Sequence, residues 1–222
     1  MTTIAAVIFD FDGLILDTET PIFEAWRQAY REHGCELALE DWQHALGTHA
    51  GFDALEHLER LSGRSLEREP LLERVRERNH RDCEAQRLLP GVAERLAEAR
   101  ALGLGAAVAS SSSRAWVTGW LERHGLRPLL GCVCARDDVA RVKPAPDLFL
   151  LAAARLGVPA AACLVFEDSP NGIHAARAAG MRCVAVPNAV TRSLALPETD
   201  LRLESLALLR LDQILERLAW VA

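Results

Sequence analysis

The chain has 222 residues, half of them hydrophobic, so it can bury a core of ordinary domain size. Its formal net charge of −6 excludes bulk affinity for nucleic acid or anionic membranes. No apolar run reaches the roughly 18 residues a membrane span needs. The apolar start has no basic region before it and acids follow at once, so no signal peptide is expected.

The six cysteines are scattered, and Cys132-x-Cys134 is not a zinc spacing. Reduced thiols and a cytosolic protein are expected. One bias is strong: among 25 basic residues the only lysine is Lys143. A lone lysine in an arginine-rich chain marks a place where a compact ammonium is wanted and a planar fork is not.

In chain order, Ile4–Phe9 reads as a strand and ends in Asp10-Phe11-Asp12-Gly13. On extended backbone, residues i and i+2 face the same way, so both carboxylates can reach one small volume. Such crowding calls for a cation, and hard oxygen donors suit a divalent one. A calcium loop of the EF-hand kind fails, because no third acid stands two residues beyond Asp12.

Four helical patterns follow, over Thr20–Gly34, Leu39–Leu46, Phe52–Leu61 and Glu67–Glu84. Between the second and third lies Gly47-Thr48-His49-Ala50-Gly51, a loop suited to ligand contact. From Leu88 onward strand and helix alternate. A turn at Leu89-Pro90-Gly91 precedes a helix, and strand Leu104–Ala109 runs into Ser110-Ser111-Ser112-Ser113-Arg114. Hydroxyls before a helix amino terminus suit an oxyanion, although a serine-rich cap reads the same way.

Strand Gly131–Ala135 comes next, then Lys143-Pro144-Ala145-Pro146-Asp147. The prolines stiffen the turn that aims the lysine, and Asp147 is expected to cap the following helix. Strand Ala162–Phe166 ends in Glu167-Asp168-Ser169-Pro170-Asn171-Gly172. Strand Arg182–Val186, a short strand and an amphipathic helix with Leu208, Leu211, Leu215 and Leu218 close the chain.

The alternation predicts an α/β fold: a doubly wound parallel sheet with helices on both faces. Ligands of such sheets bind at the carboxyl ends of the strands, where each of these polar clusters falls. The helical stretch that interrupts the pattern is expected to be an inserted cap domain over 16–87, with the core formed by 1–15 and 88–222.

Acids, a hydroxyl and an ammonium around one point suit phosphoryl transfer, whose demands are positioning and charge neutralisation. DFDG, the serine after a strand, KPAPD and FEDSPNG together resemble the haloacid dehalogenase-like hydrolases, in the phosphatase and β-phosphoglucomutase-like group with a helical cap. The resemblance covers essentially the whole chain. It implies a Rossmann-like core and a magnesium-dependent phosphomonoesterase that works through an aspartyl-phosphate. It makes Asp10 the nucleophile and Asp12 the general acid/base, with Ser110, Ser111 and Lys143 on the phosphoryl group. The metal set it implies is Asp10, Asp12 through its backbone carbonyl, Asp168 and Glu167. The dehalogenase branch lacks the second aspartate, so Asp12 points to phosphate chemistry.

The expected substrate is a small phosphate ester such as a sugar phosphate, and the expected enzyme a monomer. Thr18, Glu19 and His49 are candidate substrate contacts, with Asn79 and His80 behind them. The alternative is a phosphosugar mutase. β-Phosphoglucomutases carry a histidine in the first cap helix, where this chain reads Thr20-Pro21-Ile22-Phe23. An arginine expected in their cap loop is replaced at His49-Ala50. These departures favour a phosphatase. A non-catalytic binding module has no need of Asp10, Asp12, Lys143 and Asp168 together.

Overall fold

The computed structural model describes residues 3–42 and 52–220. Its centre is a parallel sheet whose central strands are apolar runs, as expected when both faces are covered. In chain order these are β1 (Ala6–Phe9), β2 (Gly105–Ala109), β3 (Cys132–Cys134), β4 (Cys163–Glu167), β5 (Arg182–Ala185) and β6 (Leu201–Arg202). Their spatial order is β3-β2-β1-β4-β5-β6, and every pairing is parallel. The chain steps from β1 out to β3 and returns to the other side of β1 for β4. The crevice at that reversal is where open α/β sheets bind ligands.

The strand period of two divides the core. Val7 and Phe9 face one apolar cluster, with Leu96, Val117 and Ile214, while Ala6 and Ile8 face the other, with Leu148, Phe149 and Ile173. The first cluster is covered by α5 (Val92–Ala101), α6 (Arg114–Arg123) and α9 (Leu211–Trp220). The second is covered by α7 (Asp147–Leu156) and α8 (Pro170–Ala178). Phe9 stacks on Phe166 at 4.9 Å and joins β1 to β4 directly below the site.

Helices α1 (Glu19–Glu32), α2 (Leu39–Trp42), α3 (Ala54–Ser62) and α4 (Arg68–Glu84) lie between β1 and α5. They bury a separate cluster that includes Phe23, Trp26, Tyr30, Leu55, Leu58 and Leu71. The chain leaves and re-enters the sheet layer side by side: Leu16 bridges Leu88, and the Leu89 amide donates to the Ile15 carbonyl at 3.0 Å. On these grounds we propose 16–87 as the inserted domain.

Several boundaries differ from those expected. β1 starts at Ala6 rather than Ile4, and residues 43–46 of the second expected helix lie outside the described residues, as does His49. Asp147 does not cap α7. It is the first helical residue, and its carboxylate is taken by Arg141 at 3.1 Å. Leu208 is outside α9, in a separate short turn over Leu206–Leu208, and is 60% exposed.

Candidate active site

Asp10 follows β1, and its amide donates to the Phe166 carbonyl at 3.0 Å, which seats it beside the end of β4. Its Oδ1 accepts from Lys143 Nζ. Lys143 is buried, follows β3 through a turn with a cis peptide to Pro144, and also donates to Glu167 Oε1 at 2.7 Å. Its ammonium lies 4.8 Å from the centre of the Phe149 ring. Burial works against that charge, but Asp10 and Glu167 outweigh it and hold Lys143 protonated above its ordinary range.

Glu167 is fully buried and anchored from behind. Its Oε2 accepts from the Asp168 and Ser169 amides, each at 2.9 Å, and from Ser169 Oγ at 3.1 Å. Gly172, in the first turn of α8, makes room for it, since a Cβ there would overlap the carboxylate. The glycine of FEDSPNG therefore has a steric reason.

Carboxylate oxygens of Asp10, Glu167 and Asp168 lie within 4.8 Å of one another, all three residues buried. Burial pushes Asp10 up to about 8, opposed by the Lys143 charge and aided by Glu167 and Asp12. Burial also raises Asp168, with Glu167 and Asp10 adding to it. One ammonium does not balance this much buried negative charge. An all-oxygen donor set with surplus charge fits a hard divalent cation, so the residues present fit magnesium. Asp10, Asp168 and Glu167 are the side chains that would hold it.

Asp12 stands two residues on in different surroundings. Its Oδ1 accepts from Thr18 Oγ1 and from Trp116 Nε1, each at 2.9 Å. Its Oδ2 accepts from Ser110 Oγ at 3.0 Å and from Ser112 Oγ at 2.7 Å. Thr18, the residue before α1, and Ser110 are thus both brought to Asp12. Ser111 lines the cavity instead, and its buried Oγ has no hydrogen-bond partner.

Glu19, the first residue of α1, lines the same cavity and is pushed up to about 8 by burial and by the nearby charges of Asp12 and Asp10. The cavity holds about 810 Å³. The two aspartates, Lys143, Glu167 and Asp168 line it, and so do Ile22, Trp26, Trp42, Phe52 and Leu72 of the helical block. Arg68, Arg76, Asn79 and His80 also line it.

Sequence reasoning missed Trp116, Ser112 and Asn188. Trp116 sits in a helix where an aromatic reads as core. Ser112 was hidden in a serine run. Asn188, just past β5, donates from Nδ2 to Asp168 Oδ2 at 2.7 Å. Its only local signal is a Pro-Asn turn. All six cysteines are free, as expected. No helix among the described residues is long and apolar enough to cross a membrane.

Comparison with known proteins agrees with this architecture. Residues 7–186 match the family model of the haloacid dehalogenase-like hydrolases. The chain is 47% identical over 215 residues to the Bacillus subtilis (strain 168) protein YhcW, covering 97% of this chain and 98% of that one. It is 37% identical over 186 residues to the fructose-1-phosphate phosphatase YqaB of Escherichia coli (strain K12), covering 82% and 96%. The structure of CbbY from Rhodobacter sphaeroides in complex with phosphate superposes with a TM-score of 0.73 at 29% identity, over 93% of this chain and 96% of that one. The fold is also that of β-phosphoglucomutase from Clostridium difficile, with a TM-score of 0.72 at 24% identity over 98% of each chain. The chain belongs to the haloacid dehalogenase-like hydrolases, in the group that holds the phosphatases and β-phosphoglucomutases.

Proposed function

We propose that the protein is a magnesium-dependent phosphatase that hydrolyses a small phosphorylated metabolite, such as a sugar phosphate, through an aspartyl-phosphate on Asp10. The observation that carries this reading is the contrast between two aspartates one residue apart. Asp10 faces an ammonium and two more carboxylates. Asp12 faces three hydroxyls and an indole N–H. One environment suits a nucleophile beside a phosphoryl group, and the other suits a group that trades a proton with the leaving oxygen.

In the first step an Asp10 oxygen bonds to phosphorus as the bond from phosphorus to the leaving oxygen breaks, and Asp12 gives that oxygen its proton. In the second, Asp12 takes a proton from water, whose oxygen bonds to phosphorus as the Asp10–phosphorus bond breaks. Inorganic phosphate leaves and Asp10 is restored. Lys143 offsets charge on the phosphoryl oxygens, and Ser110 and Ser111 hold them at the amino end of α6. Magnesium bound by Asp10, Asp168, Glu167 and the Asp12 carbonyl supplies further charge neutralisation when present. Thr18, Glu19 and the apolar wall from Ile22 to Leu72 contact the rest of the substrate.

The test is phosphate release from a broad panel of phosphorylated metabolites, with magnesium and with a chelator. Release from a few sugar or polyol phosphates that stops on chelation is expected. No release from any ester, or release indifferent to chelation, contradicts the reading. Interconversion of phosphosugar isomers without net phosphate release would assign the mutase alternative.

A further inference from the structure

We propose that Asn188 is a positioning residue for the metal-binding carboxylate Asp168, and that it ties this carboxylate to the loop carrying Asp10 and Asp12. The inference rests on the magnesium reading above.

Asn188 leaves the sheet just past β5, beside the end of β4, where the Val186 amide donates to the Glu167 carbonyl at 2.7 Å. Its own orientation is fixed from behind. Its amide N–H donates to Thr191 Oγ1 at 3.0 Å. Its Oδ1 accepts from the Val190 amide at 2.9 Å and the Thr191 amide at 3.0 Å. Thr191 is fully buried. With the side-chain oxygen facing two N–H donors, the NH2 end must face the other way. There it meets two acceptors: Asp168 Oδ2 at 2.7 Å and the Gly13 carbonyl at 3.1 Å.

Both hydrogens of the amide are thus spent on the site. One holds a single oxygen of Asp168 and so sets the rotation of that carboxylate. The other holds the backbone one residue after Asp12. Gly13 has φ of +82°, and a Cβ there would stand 2.7 Å from Asp168 Oδ2 and closer still to Asn188 Nδ2. The glycine of DFDG therefore leaves the space through which Asn188 links two strand ends that lie far apart in sequence. Partners that orient a metal ligand from behind are worth about 10–100-fold in metal affinity when removed.

The test uses the full-length chain, with Mg2+ binding measured by titration calorimetry and by the shift in melting temperature on adding Mg2+. Asn188→Ser keeps a short acceptor for the 190–191 turn but does not reach Asp168. Its Mg2+ dissociation constant is expected to rise about 10–100-fold. Activity should be restored by excess Mg2+, with the KM for substrate unchanged. Asn188→Asp can still accept from both turn amides but sets an oxygen against Asp168, and it must alter the Mg2+ dissociation constant at least about tenfold. Thr191→Val loosens the same turn and keeps the Asp168 bond. It should lower the melting temperature and leave Mg2+ binding within about twofold of wild type, below the range for a lost orienting partner. Wild-type Mg2+ affinity in either folded Asn188 variant would overturn the inference alone. Wild-type protein with no Mg2+ binding that Asp168→Asn abolishes would overturn the magnesium reading and this inference with it.

Discussion

The Trp116 indole N–H donates to Asp12 Oδ1 at 2.9 Å, so a residue of α6 holds the carboxylate proposed to shuttle the proton. With Thr18 on the same oxygen and Ser110 and Ser112 on the other, Asp12 accepts from four donors. It must shed or share one of them to meet a leaving group. Trp116 also meets His80 of α4 edge-on at 6.1 Å, which sets this contact where the helical block adjoins the sheet layer. Trp116→Phe keeps an aromatic ring and loses the N–H donor together with part of the indole's volume. A hydrogen bond to a charged group is worth about 1.5–3 kcal/mol. Steady-state kinetics should give kcat reduced by about tenfold, with KM little changed. An unchanged kcat would leave Trp116 as wall alone.

Lys143 is the only lysine in the chain, and its ammonium fits between Asp10 and Glu167 over the Phe149 ring. Lys143→Arg should not be conservative, because a planar fork does not fit a space shaped for a compact ammonium. Its kcat/KM should fall by about 10²-fold or more. Lys143→Met leaves two buried carboxylates unpaired and should cost about 3–5 kcal/mol of stability, read from urea unfolding at pH 8. Near-wild-type kinetics for the arginine variant would make the lone lysine an accident of composition.

Gly172 lies in helical backbone, where alanine alone would stabilise by up to about 1 kcal/mol. Here the added methyl would overlap the Glu167 carboxylate. Gly172→Ala should therefore destabilise by about 1–3 kcal/mol. It should also lower kcat by about 10²-fold, as Glu167 moves and Lys143 shifts with it. A stabilised, active variant would show that Glu167 has room to move without consequence.

The strand-end motifs were legible because each combines a continuous apolar run with a polar break, and strand ends in an alternating fold converge. Asp10, Asp12, Lys143, Glu167 and Asp168 are brought together as their motifs implied. Asn188 and Trp116 were not legible. Trp116 reaches Asp12 across 104 residues of sequence, and Asn188 reaches Asp168 across 20 and Gly13 across 175, while locally one reads as core and the other as a turn. The helical block is legible as helices from its 3.6-residue period. Which of its side chains face the cavity depends on packing that no local pattern encodes. Asp147 stands one residue inside the helix rather than at its cap, and its carboxylate pairs with Arg141.

Glu19 yields a pH signature. Burial and the charges of Asp12 and Asp10 raise it to about 8 in the folded protein, against 4.5 ordinarily. Between those values the folded chain keeps a proton that the unfolded chain releases, so rising pH favours unfolding through this group. Glu19→Gln has no such proton. In chelator, the melting temperature of wild type relative to Glu19→Gln should fall by roughly 3 °C per pH unit from about pH 5 to 8, then level off. A constant difference across that range would place Glu19 as ionised throughout.

In the proposed mechanism the phosphoryl group passes through Asp10. The direct measurement is the mass of the amino-terminal peptide ending at Arg27 after a reaction with substrate and magnesium is quenched in acid. That peptide from wild type should carry one added phosphoryl group located on Asp10, and the same peptide from Asp10→Asn should carry none. Steady phosphate release by wild type with no such adduct, matched by Asp10→Asn at a near-normal rate, would contradict it.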